Sequence, residues 1–536
     1  MSAGTDVGLD VGTGVGTGVG TGVGTGGGSG ARAGETAVRG AAARNGSGAR
    51  PFTRVLVPSG VLGLGFGEDA LERALALDPD IIAIDGGSTD SGPHFLGTGT
   101  SKYADAVVRG EWRTLMIARA RLGVPLVIGS AGTCGTDSQV GRLLELTREL
   151  AAELGQTLVV ATLESSQSRA TLAKALAAGD VTPLPGAAPL ELATLEACTN
   201  IVALAGAEQI DAALATDADI VIAGRTTDTA LIAARPLADG RHAGAAWHAA
   251  KITECGALCS DRPTSGVVVV DIDDRGFTVR PTAPDARCTP RTVAAHMLYE
   301  NADPFVLHEP GGRLDVRDAQ YAAVAANGAR ADPSDGTDDD ASAGARRSGT
   351  EGADGGGGSG AVRVVGSRWI ADERYTVKLE GARPDGFETT LLVLLRDARY
   401  VRHAHEWMKR VRTRLADTVA ARLGIATDAW SVELRGIGLD ATLGDLETAT
   451  SGPHEIGVLC LIRAGSAALA DEIARLADPL LLHCPLTDDE PLPTFAFPYS
   501  PVATPRGLRH VFCLEHVLTL AAPMDAFRLA VHEIGT

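Results

Sequence analysis

A chain of 536 residues with only 4% aromatic side chains can hold two or three domains, and their cores must be largely aliphatic. Its formal charge of −19 argues against nucleic acid and against an anionic membrane surface as partners, because either requires a basic face. No uninterrupted apolar run reaches the roughly 18 residues of a membrane span, and the first residues lack a basic and then apolar leader, so a cytoplasmic location is expected.

Residues 1–50 carry the repeat VGTGVGTGVGTG, which costs much entropy to order and offers little to bury; a disordered glycine-rich tail is expected. Residues 51–325 read as an α/β domain. Short apolar runs at 54–60, 81–87, 124–132, 157–165, 200–206 and 219–225 each end in a glycine or polar turn. Between them, 68–77, 104–122 and 138–154 show apolar residues at three- and four-residue spacing, the mark of amphipathic helices. This alternation predicts a largely parallel βαβ sheet with helices on both faces. Ligands of such sheets bind beyond the carboxyl ends of the strands. That edge collects Ser59, Asp85, Ser88, Thr89, Asp90, Ser130, Thr133, Glu164, Arg225, Thr226, Thr227 and Asp228. Read one at a time, these residues are equally suited to capping the helices that follow; it is their repetition at one edge that suggests a pocket.

After Pro236 the pattern changes. Residues 247–260 read as a helix, 266–281 as a hairpin turning at Asp273 to Gly276, and 289–301 as a helix entered through Thr289 and Pro290. Residues 326–361, rich in glycine, serine and aspartate, are expected to be a disordered insertion, and 362–387 a return segment of the first domain. Strands at 374–382 and 388–397, a helix at 398–423, strands at 430–438 and 454–464, a helix at 467–482 and a strand at 510–520 follow. Their βαββαβ order predicts an α+β, ferredoxin-like C-terminal domain over 388–536.

Lysine occurs at only five positions among 48 basic residues, so each invites the question of what arginine could not do there. Lys378 shares a strand face with Glu380, either as a solvent-facing ladder or as a pair meeting a ligand. Lys251, Glu254 and Cys255 fall on one helix face if 247–260 is a continuous helix. They then place an acid, a base and a soft nucleophile together, or form a surface pair beside a buried thiol. Arg225 suits a carboxylate clamp with Asp228 orienting it, and Arg287 with Arg291 a second anion contact at a helix start. Amides near Gly129 to Gly132 are candidates for holding an oxyanion, with Asp85 or Glu254 moving the proton. The eight cysteines show no zinc spacing and are expected to be reduced; His94, His296 and His516 read as structural. No metal or cofactor is expected. The loop Gly63 to Gly67 reads GxGxG where a dinucleotide fingerprint requires GxGxxG, leaving nucleotide-binding oxidoreductase as a lesser alternative.

The segments AIDGGSTDSGPHFLGTG (83–99), VIGSAGT (127–133), IVIAGRTTD (220–228), KITECGALC (251–259), ARCTPRTVAAHMLYENADPF (286–305) and YTVKLEGAR (375–383) together resemble the acyclic terpene utilisation AtuA family, in its branch with a ferredoxin-fold C-terminal domain. The resemblance spans about residues 54 to 535 apart from the insertion. It implies a role in acyclic terpene, carboxylate or acyl-CoA catabolism and supplies no residue-level mechanism. With the residues above, the expected function is a cofactor-light lyase, hydratase or isomerase acting on a small carboxylate or acyl-CoA, and a homo-oligomer; a non-catalytic subunit or assembly factor is the alternative.

Overall fold

The computed structural model describes residues 50–325, 358–448 and 452–535. The expected tail and most of the expected insertion lie outside the described residues. Strands β1 (Phe52–Val57), β2 (Ile81–Asp85), β3 (Leu126–Gly129) and β4 (Leu158–Glu164) arise from Val/Ile/Leu runs, followed by β5 (Val181–Pro183), β6 (Asn200–Ala203), β7 (Ile220–Ala223), β8 (Val268–Asp273) and β9 (Gly276–Pro281). Then come β10 (Val306–Glu309), β11 (Gly312–Asp315), β12 (Gln320–Ala325), β13 (Gly358–Val365) and β14 (Arg368–Ala371), and the 21-residue β15 (Tyr375–Leu395). The chain closes with β16 (Trp430–Ile437), β17 (Ile456–Ala464), β18 (Thr504–Phe512), β19 (His516–Leu520) and β20 (Arg528–Ile534).

The described residues form a ten-stranded sheet in the order β12-β13-β9-β8-β1-β2-β3-β7-β4-β20. Its centre, β1 through β4, is parallel, and β8 and β20 close it on either side as antiparallel strands. Because side chains alternate across a strand, each central strand feeds two cores. Ile82, Ile84, Leu126, Ile128, Ile220 and Ile222 pack with the helices Glu68–Leu75, Asp105–Leu122 and Asp137–Leu154. Ile81, Ala83, Val127, Val221 and Ala223 pack on the opposite side with Ala207–Leu214, Asp228–Ala238 and Ala243–Thr253. Parallel strands covered on both faces need continuous apolar runs, as the sequence shows.

Four sequence expectations change. The run at 200–206 does form a strand, but β6 leaves the parallel sheet and pairs antiparallel with β15. The break expected between 382 and 388 is absent: β15 runs straight through Pro384, and the register against β18 shifts between Pro384 and Phe387, a bulge that absorbs proline's missing donor. The strand expected over 510–520 is two strands, β18 and β19, interrupted at residues 513–515. Finally, β13 begins at Gly358, so the last four residues assigned to the insertion are strand.

A seven-stranded sheet contains β16-β17-β15 with β18 and β19 both on β15, every pairing antiparallel. The helices Ala404–Leu423 and Ala467–His483 cover it, burying Trp407, Val411, Leu415, Ile473 and Ala477 against Leu391, Val393, Val458 and Ile462. Those strand residues are therefore core. No helix among the described residues is long and apolar enough to cross a membrane.

The ends of β2 and β3 approach closely: a Cβ on Gly86 would lie 2.6 Å from the Ser130 carbonyl oxygen and 2.7 Å from that of Gly129. Gly86→Ala should therefore destabilise by about 1–3 kcal/mol through main-chain displacement. Gly141→Ala, on an open helix surface, should be neutral or stabilise by up to ~1 kcal/mol. Urea denaturation of both variants checks the contrast; equal effects would show that the β2/β3 approach is soft.

Candidate functional site

Beyond the carboxyl ends of β2 and β7 lies a hollow of about 680 Å³, within the range of small-molecule sites. Of the sequence-derived candidates, Ser88, Thr89, Asp90, Arg225, Asp228, Lys251, Glu254 and Lys378 line it. The turn after β2 is organised by Ser88, whose hydroxyl accepts the Asp90 amide at 3.1 Å. Arg225 follows β7, its amide donating to Ser165 Oγ at 2.6 Å.

Arg225 is 6% exposed and its fork is already filled. Nε donates to Glu380 Oε2 at 3.0 Å, and Nη1 donates to Ser130 Oγ at 2.9 Å and to the Thr226 carbonyl at 3.0 Å. Asp228 stands 3.6 Å away. The expected clamp for a substrate carboxylate is thus closed by a carboxylate of the protein itself. Glu380 is buried, which pushes its carboxyl up, but the Arg225 charge and then that of Lys378 outweigh burial and hold it at about 2. Lys378 bonds Glu380 at 3.1 Å while its side chain stays 47% exposed, so it is a cation with donors left for a ligand.

The expected continuous helix over 247–260 is not formed. The helix Ala243–Thr253 stops because Gly256 adopts a left-handed φ of +61°, and a single 3-10 turn, Gly256–Cys259, follows. Lys251 still meets Glu254 in a buried ion pair. Burial and then the Lys251 and Asp228 charges set the Glu254 carboxyl, leaving it raised to about 8. Burial pushes the Cys255 thiol up, so it is no ready nucleophile.

Asp85 is 4% exposed and held beneath the loop, with Oδ2 accepting the Gly87 amide at 2.9 Å and Oδ1 without a hydrogen-bond partner. Burial and the neighbouring Asp228 raise its carboxyl well above the usual range. It influences the hollow by its field and does not line it. Ser130 sits behind Arg225, and Thr133 Oγ1 accepts the Lys102 amide at 3.0 Å, bracing the loop. Of the expected oxyanion amides, those of Ser130 and Ala131 are spent on the carbonyls of Gly224 and Ala223, and the neighbouring Thr133 amide donates to the Gly86 carbonyl. Glu164 pairs with Arg528 at 3.0 Å on the sheet edge, and Arg287 is exposed with its amide on Asp261; neither reaches the hollow. In the GxGxG loop the Gly63 amide donates to Glu111 Oε2 at 2.7 Å, so a carboxylate occupies a donor that a pyrophosphate would need.

Sequence reasoning missed Glu309 at the end of β10. Its Oε1 accepts the Thr229 hydroxyl at 2.7 Å, Oε2 is sealed from water without a partner, and burial raises the carboxyl to about 7 against the Thr229 and Thr227 hydrogen bonds. Nothing in VLHEPGG marks it, because only the tertiary fold turns β10 toward the helix Asp228–Ala238. A second hollow, of about 560 Å³, is reached by Gly86 and Gly132 but is walled mainly by Leu62, Tyr103, Val108, Leu143 and Leu146, with Arg109 and Arg142 engaged by Glu149 and Asp105. It lacks the convergence of buried titratable groups that defines the first.

An α/β scaffold with a polar, acid-rich hollow at a strand-end crevice is the architecture of a small-molecule site. The chain belongs to the AtuA family: the model for the acyclic terpene utilisation family protein AtuA matches residues 100–485. No curated protein and no solved structure matches it.

A carboxyl whose pKa is raised on folding binds its proton more tightly in the native state. Its stabilising contribution is therefore complete below the ordinary value of 4.5 and lost as pH rises toward about 7. Glu309→Gln should abolish that loss, on the order of 3 kcal/mol between pH 4.5 and 8. Denaturant titrations of wild type and variant at both pH values test this, and parallel pH dependences would contradict it.

Proposed function

We propose that the chain is an enzyme of acyclic-terpene-type carboxylate or acyl-CoA metabolism, catalysing a proton transfer of the lyase, hydratase or isomerase kind in the hollow beside Arg225. Family membership points to acyclic terpene utilisation. The observation that carries the reaction class is the position of Asp228. It begins its helix with its side chain 31% exposed to the hollow, within the fields of Arg225 and Lys251.

In this reading Lys378, the half-exposed ammonium, receives the anionic end of the substrate. Asp228, whose carboxyl burial raises, takes the proton next to the carbonyl, and the Lys251 ammonium stabilises the oxygen on which charge develops. Asp85 is too deeply seated to touch substrate, and Arg225 serves as the wall that fixes Asp228 and Glu380. We also read the part of the chain from residue 388 as ferredoxin-like. The antiparallel order β16-β17-β15-β18 with two covering helices supports this. A cytoplasmic homo-oligomer is part of the same reading.

The test is hydrogen exchange next to the carbonyl, followed by NMR in D2O, for a panel of branched short-chain carboxylates, dicarboxylates and their CoA thioesters. Asp228→Asn should lower the exchange rate by about 10²- to 10⁴-fold with the melting temperature near wild type. Lys378→Ala should raise KM more than it lowers kcat. Absence of exchange across the panel, or an Asp228→Asn variant as fast as wild type, would remove the proposal.

A further inference from the structure

The reaction scheme leaves His296 unused, and its surroundings are unusual. Thr289 caps the helix Pro290–His296, its hydroxyl accepting the Thr292 amide at 3.1 Å, and His296 ends that helix against the end of Ala243–Thr253. The imidazole is 4% exposed and stacks on Tyr299 at 5.6 Å and 20°. Its Nε2 is buried and has no hydrogen-bond partner. A sealed ring nitrogen without a partner is destabilising, and a ligand would relieve it.

Two further groups with donor atoms suited to a metal stand beside it. A carboxylate oxygen of Glu254, Sγ of Cys255 and a ring nitrogen of His296 all lie within 4.8 Å of one another. Glu254 and Cys255 are consecutive at the end of the helix, and the left-handed Gly256 turns the chain away immediately after them. Gly60 clears the other side: its Cβ would lie 3.1 Å from the Cys255 Cα.

We propose that Glu254, Cys255 and His296 hold one divalent transition-metal ion, zinc being the best match, with a fourth coordination position toward the hollow. Carboxylate, thiolate and imidazole are the donor types of zinc sites, and three protein ligands leave the open position that distinguishes catalytic from structural zinc. The Tyr299 ring stacked on His296 orients the imidazole, and the Lys251 ammonium orients Glu254, outer contacts of the kind that hold metal ligands in place. Charge favours the same conclusion: the hollow is lined by seven carboxylates, including Asp90, Asp228, Glu300 and Glu309, against the cations Arg225, Lys251 and Lys378. A bound dication would offset much of that excess and give an anionic substrate a reason to enter.

The site is tested on the full chain, stripped with a chelator and titrated with Co2+ alone. One ion per chain should bind with a thiolate-to-cobalt charge-transfer band, and Zn2+ should displace it. Cys255→Ser should abolish the band, and His296→Gln should weaken binding by more than about 10-fold. Cys513→Ser, which leaves all three ligands in place, should change neither. No stoichiometric Co2+ on folded wild-type protein, or binding with a thiolate band that survives in the Cys255→Ser variant, would overturn the proposal. Because the readout is spectroscopic, an enzyme silent toward every carboxylate tested but binding Co2+ in this manner would refute the proton-transfer reading alone.

Discussion

The buried ion pair between Arg225 and Glu380 holds the two sheets in one relationship, and the hollow exists because of it. Arg225 follows β7 of the parallel sheet; Glu380 belongs to β15 of the antiparallel one; their charged atoms meet at 3.0 Å with both side chains almost wholly removed from water. Two desolvated charges are tolerable only when paired and further hydrogen-bonded, and removing one partner costs about 3–5 kcal/mol. Here Ser130, Thr89 and the Thr226 carbonyl take up the remaining guanidinium donors, and Lys378 the remaining carboxylate capacity. The pair thereby fixes three strand-end loops and one strand of the other sheet at once. Its cost in stability is recovered as geometry, since every group lining that side of the hollow is positioned by it.

The parallel core was legible because physics leaves it little choice. A strand buried on both faces must be largely apolar, and the five runs that became β1, β2, β3, β4 and β7 are so, apart from Thr53 and Arg54 near the start of β1, Thr162 within β4, and the carboxylates Asp85 and Glu164 at strand ends. The run NIVALAG has the same composition yet joins β15, because partner choice lies in tertiary packing that composition does not encode. Pro384 and Gly386 read as a strand break for good local reasons, and a bulge overrides them. For the site, the convergence of Ser88, Asp90, Arg225 and Asp228 followed from strand ends, and Lys251, Glu254 and Lys378 from their spacing. Glu309 and His296 did not, since each becomes interesting only through a neighbour distant in sequence. Arg225 shows the complementary failure: the sequence reveals a guanidinium at the right edge but not the internal carboxylate that occupies it.

The distribution of carboxylates also constrains what the hollow can accept. Asp85, Asp228, Glu254 and Glu309 are all shifted upward, chiefly by burial, so the folded protein resists ionising all of them together. Such a cluster favours a cation, or an anion whose charged end meets Lys378 or arrives beside a cation. The exception, Glu380 held near 2 by Arg225, shows how a locally placed cation sorts neighbouring carboxyls into permanently charged and titratable sets.

That sorting explains why lysine appears where it does in an arginine-dominated chain. Two of the five lysines, Lys251 and Lys378, line the hollow. Arg225 spends its planar fork on fixed acceptors around its rim and so becomes part of the wall. An ammonium has three donors pointing in different directions from one compact centre. Lys251 can hold Glu254 with one and Lys378 can hold Glu380 with one, and each keeps further donors for whatever enters. A guanidinium at either position would need coplanar acceptors and more room, and would compete with Arg225 for Glu380. Rigid arginine behind and adaptable lysine in front is therefore the arrangement that a wall of buried carboxylates requires if the hollow is both to stand and to bind.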